Sequence, residues 1–320
     1  MRRLRKAIYG EVWAAVHVAS GVLCAIKHIH PEGVHTVRTV RAAVAAGGPA
    51  LRLKEDWERE LEVLRDIKRA GGHPHVVALR EDFEVTDVGY IIVLEFCDGG
   101  ELFEKVETTG WTHNEALADL HGLLRGVAHI HALGYAHCDL SPENYMSSSG
   151  AHTTHSGVRI IDLGGAQRAA AGGRLQYPSR DQEGFCGVGK VFYKSPRNVQ
   201  GRDFDAHKND VWAMGITFFI MLTRIPPWNV ALEAGDPIFR EWTRGEQSFR
   251  ALVETWANVQ GEPNFDPTRD PCPNYMRCFT PETWDLLTHL LDVDEESRYS
   301  AAEALAHPCF AAAAGADEVV

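Results

Sequence analysis

The stretch "AHCDLSPENYM", residues 136–146, places a carboxylate five positions before an amide, with a proline between them. The two groups are Asp139 and Asn144, and Pro142 stiffens the turn that separates them. A carboxylate and an amide held in this way can bind a metal ion and orient a hydroxyl nucleophile.

Two further segments deliver charged side chains from the ends of apolar runs. "CAIK" ends in Lys27, and "VRIIDLGG" carries Asp162 into a glycine turn. Glu60 lies on the same face of a predicted helix as Leu64, one turn further on, and is expected to form an ion pair with Lys27. A lysine, two aspartates and an asparagine are what phosphoryl transfer from a magnesium nucleotide requires.

The composition is that of a soluble globular protein, large enough for two lobes. The chain has 320 residues, 45% hydrophobic and 24% charged. A formal net charge of −12 argues against nucleic acid as the main partner, because such binding depends on Lys and Arg meeting phosphate. The seven cysteines are scattered and odd in number, which favours a reducing compartment: the cytoplasm, with the nucleus also possible.

The N-terminal "MRRLRK" and the apolar run after it imitate a signal peptide. Glu11 and His17 interrupt that run, and Ser20 with Gly21 marks a turn inside it. Two strands joined by a turn are therefore predicted. No other segment approaches the roughly 18 consecutive apolar residues that span a bilayer, so no membrane is expected as a partner.

Periodicity predicts strands followed by helices, hence an α+β fold with a small β-rich lobe and a larger helical lobe. We predict strands at 12–18, 22–29 and 90–96, a helix at 55–69 and an inserted loop at 31–49. Beyond a hinge near 95–100, capping signals predict helices after Thr112, Thr280 and Ser300, and 210–222 reads as a buried helix. A small ligand is expected in the cleft between the lobes.

Eight motifs in this order resemble the eukaryotic protein kinase family: "AIK", "HPHVV", "LEFCDGGELF", "HCDLSPEN", "DLG", "DVWAMG", "PPW" and "RYSAAEALAHPCF". The resemblance implies a bilobal protein-kinase-like fold. The domain would cover 1–310, with an N-lobe at 1–96 and the hinge and C-lobe at 97–310. Residues 311–320 form an Ala-rich tail.

The resemblance also implies ATP and Mg²⁺ as cofactors and assigns roles to the charged residues. Asp162 and Asn144 would bind Mg²⁺, Lys27 would neutralise the phosphates that are not transferred, and Asp139 would accept or orient the incoming hydroxyl. Asp210 would brace the catalytic loop.

The nucleotide itself would be held by residues from several strands and the hinge. By the same resemblance, Leu94 is the gatekeeper, and the backbone of Glu95 and Cys97 holds the adenine edge. The remaining members are Val12, Ala25 and Met146 around the base, Glu101 near the ribose, Gly10 in the glycine loop, and Lys27 with Glu60.

The glycine loop departs from the family pattern. G-x-G-x-x-G-x-V maps onto Arg5, Ala7, Gly10 and Val12, so only the third glycine is retained. Side chains at the other two positions weaken the close approach of the backbone to phosphate. In addition, Cys138 replaces the arginine that pairs with a phosphorylated activation loop. An inactive enzyme is one interpretation; the one we favour is activity that does not wait for that phosphorylation, because this position is not itself catalytic.

Ser141 stands where the family has a lysine that contacts the transferring phosphate. Lys190 stands where the family usually has a threonine that contacts this lysine. We predict that the two side-chain types have traded places, and that Lys190 hydrogen-bonds Ser141 and Asp139. The alternative is a solvated loop lysine.

"SPR" replaces the family's "APE", so Arg197 takes the place of a glutamate that pairs with an arginine matching Arg298. Two arginines facing each other in a partly buried site would be costly. Either Arg298 finds another carboxylate, Glu295 or Glu296, or Arg197 turns to solvent.

Three functions are compatible with these residues. The first is a protein kinase that transfers the γ-phosphate of ATP to Ser/Thr hydroxyls of protein substrates, with Glu101 and Glu143 favouring a basic residue before the acceptor. The second is a pseudokinase acting as a nucleotide-binding or allosteric scaffold, which the poor glycine loop and Arg197 support. The third, a kinase-fold enzyme acting on small molecules, fits "PPW" and the long segment at 162–196 less well.

Overall fold

A computed structural model describes residues 1–47, 53, 56–153, 155, 157–169, 174–175, 189–245, 247–249, 251–252 and 279–311. The chain folds into two compact units. The first comprises Met1–Gly100 and Met146–Gln167, and the second comprises Glu101–Tyr145 and Arg168–Val320. A sheet dominates the first unit and helices dominate the second, which confirms the predicted fold class. The domain limits taken from the resemblance stay predictions.

The elements follow in chain order. The described strands are β1 (Arg2–Ala7), β2 (Gly10–Val16), β3 (Leu23–Ile29), β4 (Leu79–Val85), β5 (Gly89–Glu95), β6 (Tyr135–Ala136), β7 (Tyr145–Ser148), β8 (Gly157–Ile160), β9 (Gln167–Arg168), β10 (Arg174–Leu175) and β11 (Phe204–Asp205). The described helices are α1 (Pro31–Ala45), α2 (Trp57–Arg69), α3 (Leu102–Glu107), α4 (His113–Ala132), α5 (Pro196–Val199), α6 (Ala206–Thr223), α7 (Pro237–Thr243), α8 (Pro281–Leu290) and α9 (Ala301–Leu305).

The first unit is organised around a five-stranded antiparallel sheet with the order β1-β2-β3-β5-β4. The predicted pairing of β2 with β3 and the predicted strand that became β5 are confirmed. In the sheet, Lys27 of β3 lies opposite Val12 of β2 and Ile92 of β5. The lysine therefore stands on the central strand, where the backbone on both sides is hydrogen-bonded.

The prediction of a loop at 31–49 is wrong for most of its length, because 31–45 form helix α1. Pro31 occupies the first turn, where a proline is well tolerated, and Val34 and Val37 bury one face. Ion pairs also connect this helix to its neighbours: Arg38 contacts Glu58 of α2 and Glu84 of β4 at 3.0 and 2.9 Å. The valines at helical spacing were the available signal, and the many small residues around them obscured it.

Helix α2 carries Glu60 and faces the sheet with its apolar side. Asp56 caps it by accepting the N–H of Arg59 at 3.0 Å. Trp57, Leu61, Leu64 and Ile67 are buried, as their spacing predicted. Strands β7 and β8 pair with each other.

The second unit is built around α6. Nearly every side chain of this helix is buried, which confirms the prediction from "DVWAMGITFFIML". The predicted capping boxes at Thr112 and Ser300 are present, and Thr280 caps α8. Within the described part of the chain, no helix combines the length and apolar character needed to cross a membrane.

Candidate active site

Lys27 is fixed by a buried ion pair in the first unit. Its Nζ donates a hydrogen bond to Oε2 of Glu60 at 2.6 Å, and both side chains are buried. The predicted pair is therefore confirmed. An ammonium buried without a partner would be strongly disfavoured, so the Glu60 carboxylate compensates the charge of Lys27 and fixes the position of its amine.

Asp162 begins the short turn Leu163–Gly165 in the left-handed conformation, with φ of 58°. Its Oδ1 lies 3.7 Å from Nζ of Lys27, and its Oδ2 lies 3.7 Å from Nη2 of Arg5. The side chain is 31% exposed, so its oxygens are accessible. An accessible carboxylate is a suitable ligand for Mg²⁺, which prefers hard oxygen ligands. The two cationic side chains beside it, Lys27 and Arg5, are suited to binding a polyphosphate.

Most residues predicted to hold the base belong to the first unit: Gly10, Val12, Ala25, Leu94, Glu95, Cys97 and Met146. Glu95 is buried and accepts a hydrogen bond from Nε of Arg159 at 2.8 Å, so its carboxylate is engaged within the protein. Burial raises the pKa of the Cys97 thiol to about 12, which keeps it neutral. Glu101 is the N-cap of α3 in the second unit. Base binding by this set stays a prediction.

Gly10 has a packing role that the sequence did not suggest. A Cβ at this position would lie 1.8 Å from the carbonyl oxygen of His28 in β3. A side chain is therefore excluded by the neighbouring strand, whether or not phosphate binds nearby. The predicted contact of Gly10 with nucleotide stays a prediction. The presence of glycine at this position does not by itself support that contact, because packing against β3 already requires it.

Asp139 and Asn144 are connected directly in the second unit. Nδ2 of Asn144 donates to the backbone oxygen of Asp139 at 2.7 Å and to its Oδ2 at 3.3 Å. These bonds fix the orientation of the amide, which directs its carbonyl oxygen away from Asp139. That oxygen is a hard ligand of the type Mg²⁺ takes, so the donor set at Asn144 fits the metal.

Asp210 braces the loop before Asp139. Its carboxylate accepts the backbone N–H groups of His137 and Cys138 at 2.7 and 2.8 Å, which confirms the predicted brace. Burial by itself would raise the pKa of Asp210, but the hydrogen bond from His131 at 2.9 Å and those from the loop hold it below its ordinary value. Asp210 is thus ionised at neutral pH and anchors the loop to α6.

Lys190 contacts the same loop. Its Nζ donates to Oγ of the fully buried Ser141 at 2.6 Å and lies 3.3 Å from Oε2 of Glu143. The predicted hydrogen bond to Ser141 is confirmed, and Lys190 is not merely a solvated lysine. Asp139 and Lys190 both line the same shallow recess, together with Cys138 and Gly189. A direct bond between Lys190 and Asp139 stays a prediction.

Gly189 is a functional candidate that sequence reasoning missed. Its φ is 92°, and a Cβ there would lie 2.5 Å from the backbone oxygen of Cys138 and 3.4 Å from Oδ1 of Asp139. Only glycine permits both the conformation and this approach. Gly189 therefore lets the chain around 189–190 pass close to the loop at 138–144, and this places Lys190 within hydrogen-bonding distance of Ser141.

Arg298 is hydrogen-bonded to backbone carbonyl groups, and the charge of Glu295, one of the two predicted carboxylates, also acts on it. Its Nε donates to the backbone oxygen of Asp292 at 2.8 Å, and its Nη1 donates to that of Lys208 at 3.1 Å. The guanidinium also lies 4.9 Å from the ring centroid of Trp212. Burial lowers the pKa of Arg298, which reflects the unfavourable desolvation of its charge.

Arg197 contacts the same carboxylate, that of Glu295. Its Nε lies 3.5 Å from Oε2 of the buried Glu295 and donates to the backbone oxygen of Asp203 at 2.9 Å. The side chain is 39% exposed, so the predicted turn toward solvent is partly correct. Glu295 also accepts the N–H of Asp205 at 3.0 Å. In the family, a glutamate at position 197 pairs with the arginine that matches Arg298. Here Arg197 stands at that position and pairs with Glu295.

We expect Glu295→Ala to lower the melting temperature and Arg197→Ala to change it little. Removing Glu295 leaves the N–H of Asp205 unbonded and takes a carboxylate from the neighbourhood of buried Arg298. A loss of about 2 kcal/mol corresponds to a shift of roughly 3 °C for a domain of about 300 residues, because the entropy of unfolding grows with chain length. Arg197 is partly exposed, and exposed pairs contribute about 0–1 kcal/mol. Thermal unfolding of both variants, with exposed Glu296→Ala as the matched control, measures this. Equal shifts for Glu295→Ala and Glu296→Ala would contradict it.

Comparison with known protein families matches residues 4–310 to the protein kinase domain. Among curated proteins, calcium-dependent protein kinase 24 of Arabidopsis thaliana is 30% identical over 309 residues, covering 96% of this chain and 44% of that protein. Calcium-dependent protein kinase 22 of Oryza sativa subsp. japonica is 31% identical over 286 residues, covering 84% of this chain and 43% of that protein.

A further match comes from another organism. Calcium-dependent protein kinase 5 of Plasmodium falciparum (isolate 3D7) is 29% identical over 261 residues, covering 81% of this chain and 39% of that protein. The chain therefore spans less than half the length of these relatives.

Proposed function

The chain belongs to the protein kinase family, and we propose that it transfers the γ-phosphate of ATP to serine and threonine hydroxyls of protein substrates. The observation that carries the proposal is the buried Lys27–Glu60 pair, with Asp162 3.7 Å from the same ammonium. A buried ion pair is a poor source of net stability. The presence of this pair beside the accessible Asp162 carboxylate is best explained if Lys27 binds the phosphates of a nucleotide.

Protein kinase domains work with ATP and Mg²⁺. Asp162 and Asn144 would be the protein ligands of the metal, which would neutralise charge on the phosphates. Lys27 would hold the phosphates that stay on the nucleotide. Asp139 would accept a hydrogen bond from the substrate hydroxyl and take its proton. Lys190 would supply the ammonium that the family places at the position of Ser141.

Serine and threonine are proposed as acceptors because "PEN" follows the catalytic aspartate, Asp139, as it does in that branch of the family. The expected preference for a basic residue before the acceptor needs one qualification. Glu143, one of the two carboxylates behind that expectation, lies 3.3 Å from Lys190, and this ion pair makes it less available to a cation of the substrate. We therefore propose that Glu101 contributes more to any such preference than Glu143 does.

Activity without activation-loop phosphorylation is proposed from the surroundings of Cys138. This residue is buried in an apolar cluster with Ala136, Phe204 and Ala206, in place of the family's phosphate-binding arginine. The Asp210 carboxylate already holds its backbone at 2.8 Å. Packing and a hydrogen bond would thus supply the order that a phosphate–arginine contact supplies elsewhere.

The alternative function, a nucleotide-binding pseudokinase scaffold, is favoured by one observation. Arg5 and Ala7 occupy two of the three glycine positions of the phosphate-binding loop. Against it stand the ordered Lys27–Glu60 pair and the hydrogen-bonded Asp139–Asn144 pair, which a scaffold has no need to keep.

The remaining proposals concern setting and partners. We propose a cytoplasmic or nuclear location, supported by the odd number of cysteines and by the buried thiols of Cys24, Cys97 and Cys309. A protein substrate is proposed as the main partner, with neither nucleic acid nor membrane, since the net charge of −12 disfavours phosphate-rich surfaces.

The test is incubation of the purified chain with γ-labelled ATP, Mg²⁺ and two generic protein substrates, one basic and one neutral. Label is expected on serine or threonine in acid hydrolysates. The double variant Lys27→Met with Asp139→Asn serves as the blank that reveals contaminating kinases.

Equal incorporation by this blank would remove the enzyme proposal. Binding of MgATP by the native chain without any transfer would favour the scaffold. Label released only as phosphate, or transferred only to tyrosine, would contradict the proposed acceptor.

A further inference from the structure

A β-bulge near the N-terminus redirects Arg5. Strands β1 and β2 pair with a register shift between Arg3 and Arg5: Arg3 lies opposite Trp13, and Arg5 lies opposite Val12. Leu4 is the extra residue. Because side chains alternate along a strand, an unshifted ladder would place Arg3 and Arg5 on the same face. The bulge turns Arg5 to the other face, which is what such irregularities do beside functional sites.

The face that Arg5 joins is that of the phosphate-binding lysine. Val12 lies opposite Arg5 in one ladder and opposite Lys27 in the next. Residues directly opposite each other share a face, so these three form a row across β1, β2 and β3. Arg3 stays on the other face, where its Nη1 lies 3.1 Å from Glu11.

Contacts agree with this placement. Nη2 of Arg5 lies 3.7 Å from Oδ2 of Asp162, and Nζ of Lys27 lies 3.7 Å from Oδ1 of the same carboxylate. The Arg5 side chain is 43% exposed, so it has room to reorient around a ligand. Two cations of unlike geometry thus approach the carboxylate assigned to the metal.

We propose that Arg5 is a phosphate-binding residue that contacts the terminal phosphates of the bound nucleotide, in place of the backbone contacts made by a glycine at this position. The inference rests on the proposed function. A guanidinium presents several donors in a planar fork that matches phosphate oxygens, whereas Lys27 acts as a point charge. Arg5 then compensates for the glycines that the loop lacks.

The role predicts discrimination by phosphate number. A residue that touches only the terminal phosphates strengthens binding of ATP and does nothing for adenosine. Loss of a charge-assisted hydrogen bond to phosphate typically weakens binding by about tenfold or more. Lysine at this position keeps the charge and loses the fork, so its effect is intermediate.

The experiment is calorimetric titration of MgATP and adenosine into the full chain and into Arg5→Ala, Arg5→Lys and Arg3→Ala. Arg3→Ala is the matched control, since it removes the same charge from the same strand on the opposite face. We expect Arg5→Ala to raise the Kd of MgATP by about tenfold and that of adenosine by less than about twofold. Arg5→Lys should lie between, and Arg3→Ala should match the native chain. Melting temperatures of the four proteins show whether each is folded.

An unchanged or tighter MgATP affinity in Arg5→Ala would overturn the role of Arg5, and a tighter one would mean that Arg5 obstructs Asp162. Equal losses for MgATP and adenosine, or equal losses in Arg5→Ala and Arg3→Ala, would overturn it as well. If Arg5→Ala does not fold, the comparison of Arg5→Lys with the native chain decides by the same criterion. Failure of the native chain to bind MgATP would instead contradict the proposed function, so the two failures are distinguishable.

Discussion

Replacing Asp139 by asparagine is expected to lower kcat for phosphoryl transfer to protein by roughly 10²–10⁴-fold, the range associated with a positioned general base. Asparagine has nearly the same shape, and its oxygen can still accept the hydrogen bond that Asn144 donates to Oδ2 at 3.3 Å. The loop should therefore keep its geometry, and only the ability to take the proton is lost. The Kd of MgATP, measured by calorimetric titration, should change by less than about threefold, because Asp139 is assigned to the hydroxyl and not to the nucleotide.

The matched control for this result is Asp87→Asn. Asp87 is an exposed turn residue with φ of 62°, a conformation that asparagine also tolerates, so the same chemical change is made without a role in the site. Its kcat should equal that of the native chain. Retention of more than about a tenth of native kcat by Asp139→Asn would be below the lower limit for general-base loss and would contradict the role of Asp139.

Local periodicity and capping were sufficient to predict the parts of the site that depend on single elements. Lys27 lies on strand β3, and Glu60 stands one helical turn before buried Leu64. Their ion pair could therefore be predicted once the strand and the helix were placed. The same reasoning failed for α1, where valines spaced three residues apart are diluted by alanine and glycine. Composition there favoured a loop, and burial against neighbouring strands decided for a helix.

Features that depend on register or tertiary approach could not be predicted. The bulge at Leu4 changes the face of Arg5 without leaving a mark in the sequence, because no residue there has a special conformational requirement. Gly189 is one glycine among 29, and its importance lies in a carbonyl 2.5 Å from where its Cβ would be. The contact of Arg197 with Glu295 could not be predicted for the same reason: Glu295 and Glu296 were considered only as partners of Arg298, and sequence does not show which arginine a carboxylate approaches.

The exchange between Ser141 and Lys190 predicts a specific pattern of rescue. Lys190→Thr is expected to lower kcat by about 10²-fold, the usual effect of removing one donor that stabilises charge in the transition state. Ser141→Lys alone should also be deleterious. Ser141 is fully buried and lies 2.6 Å from the Lys190 amine, so a second ammonium would be placed against the first. The double variant, Ser141→Lys with Lys190→Thr, restores the family's arrangement of a lysine at position 141 and a threonine at position 190. It should recover most of the lost kcat.

Steady-state kinetics of the two single variants and the double variant form a double-mutant cycle. If the two positions share one function, the double variant is faster than either single variant. If Lys190 only braces the loop through Ser141, Ser141→Ala should lower kcat as much as Lys190→Thr, and Ser141→Lys should not restore activity. Glu143→Gln separates charge from position: it removes the carboxylate 3.3 Å from Lys190 while leaving the bond to Ser141, and should change kcat by much less than Lys190→Thr does. A double variant slower than both single variants would show that the ammonium has not moved between these positions, and that the loop obtains its transition-state charge elsewhere.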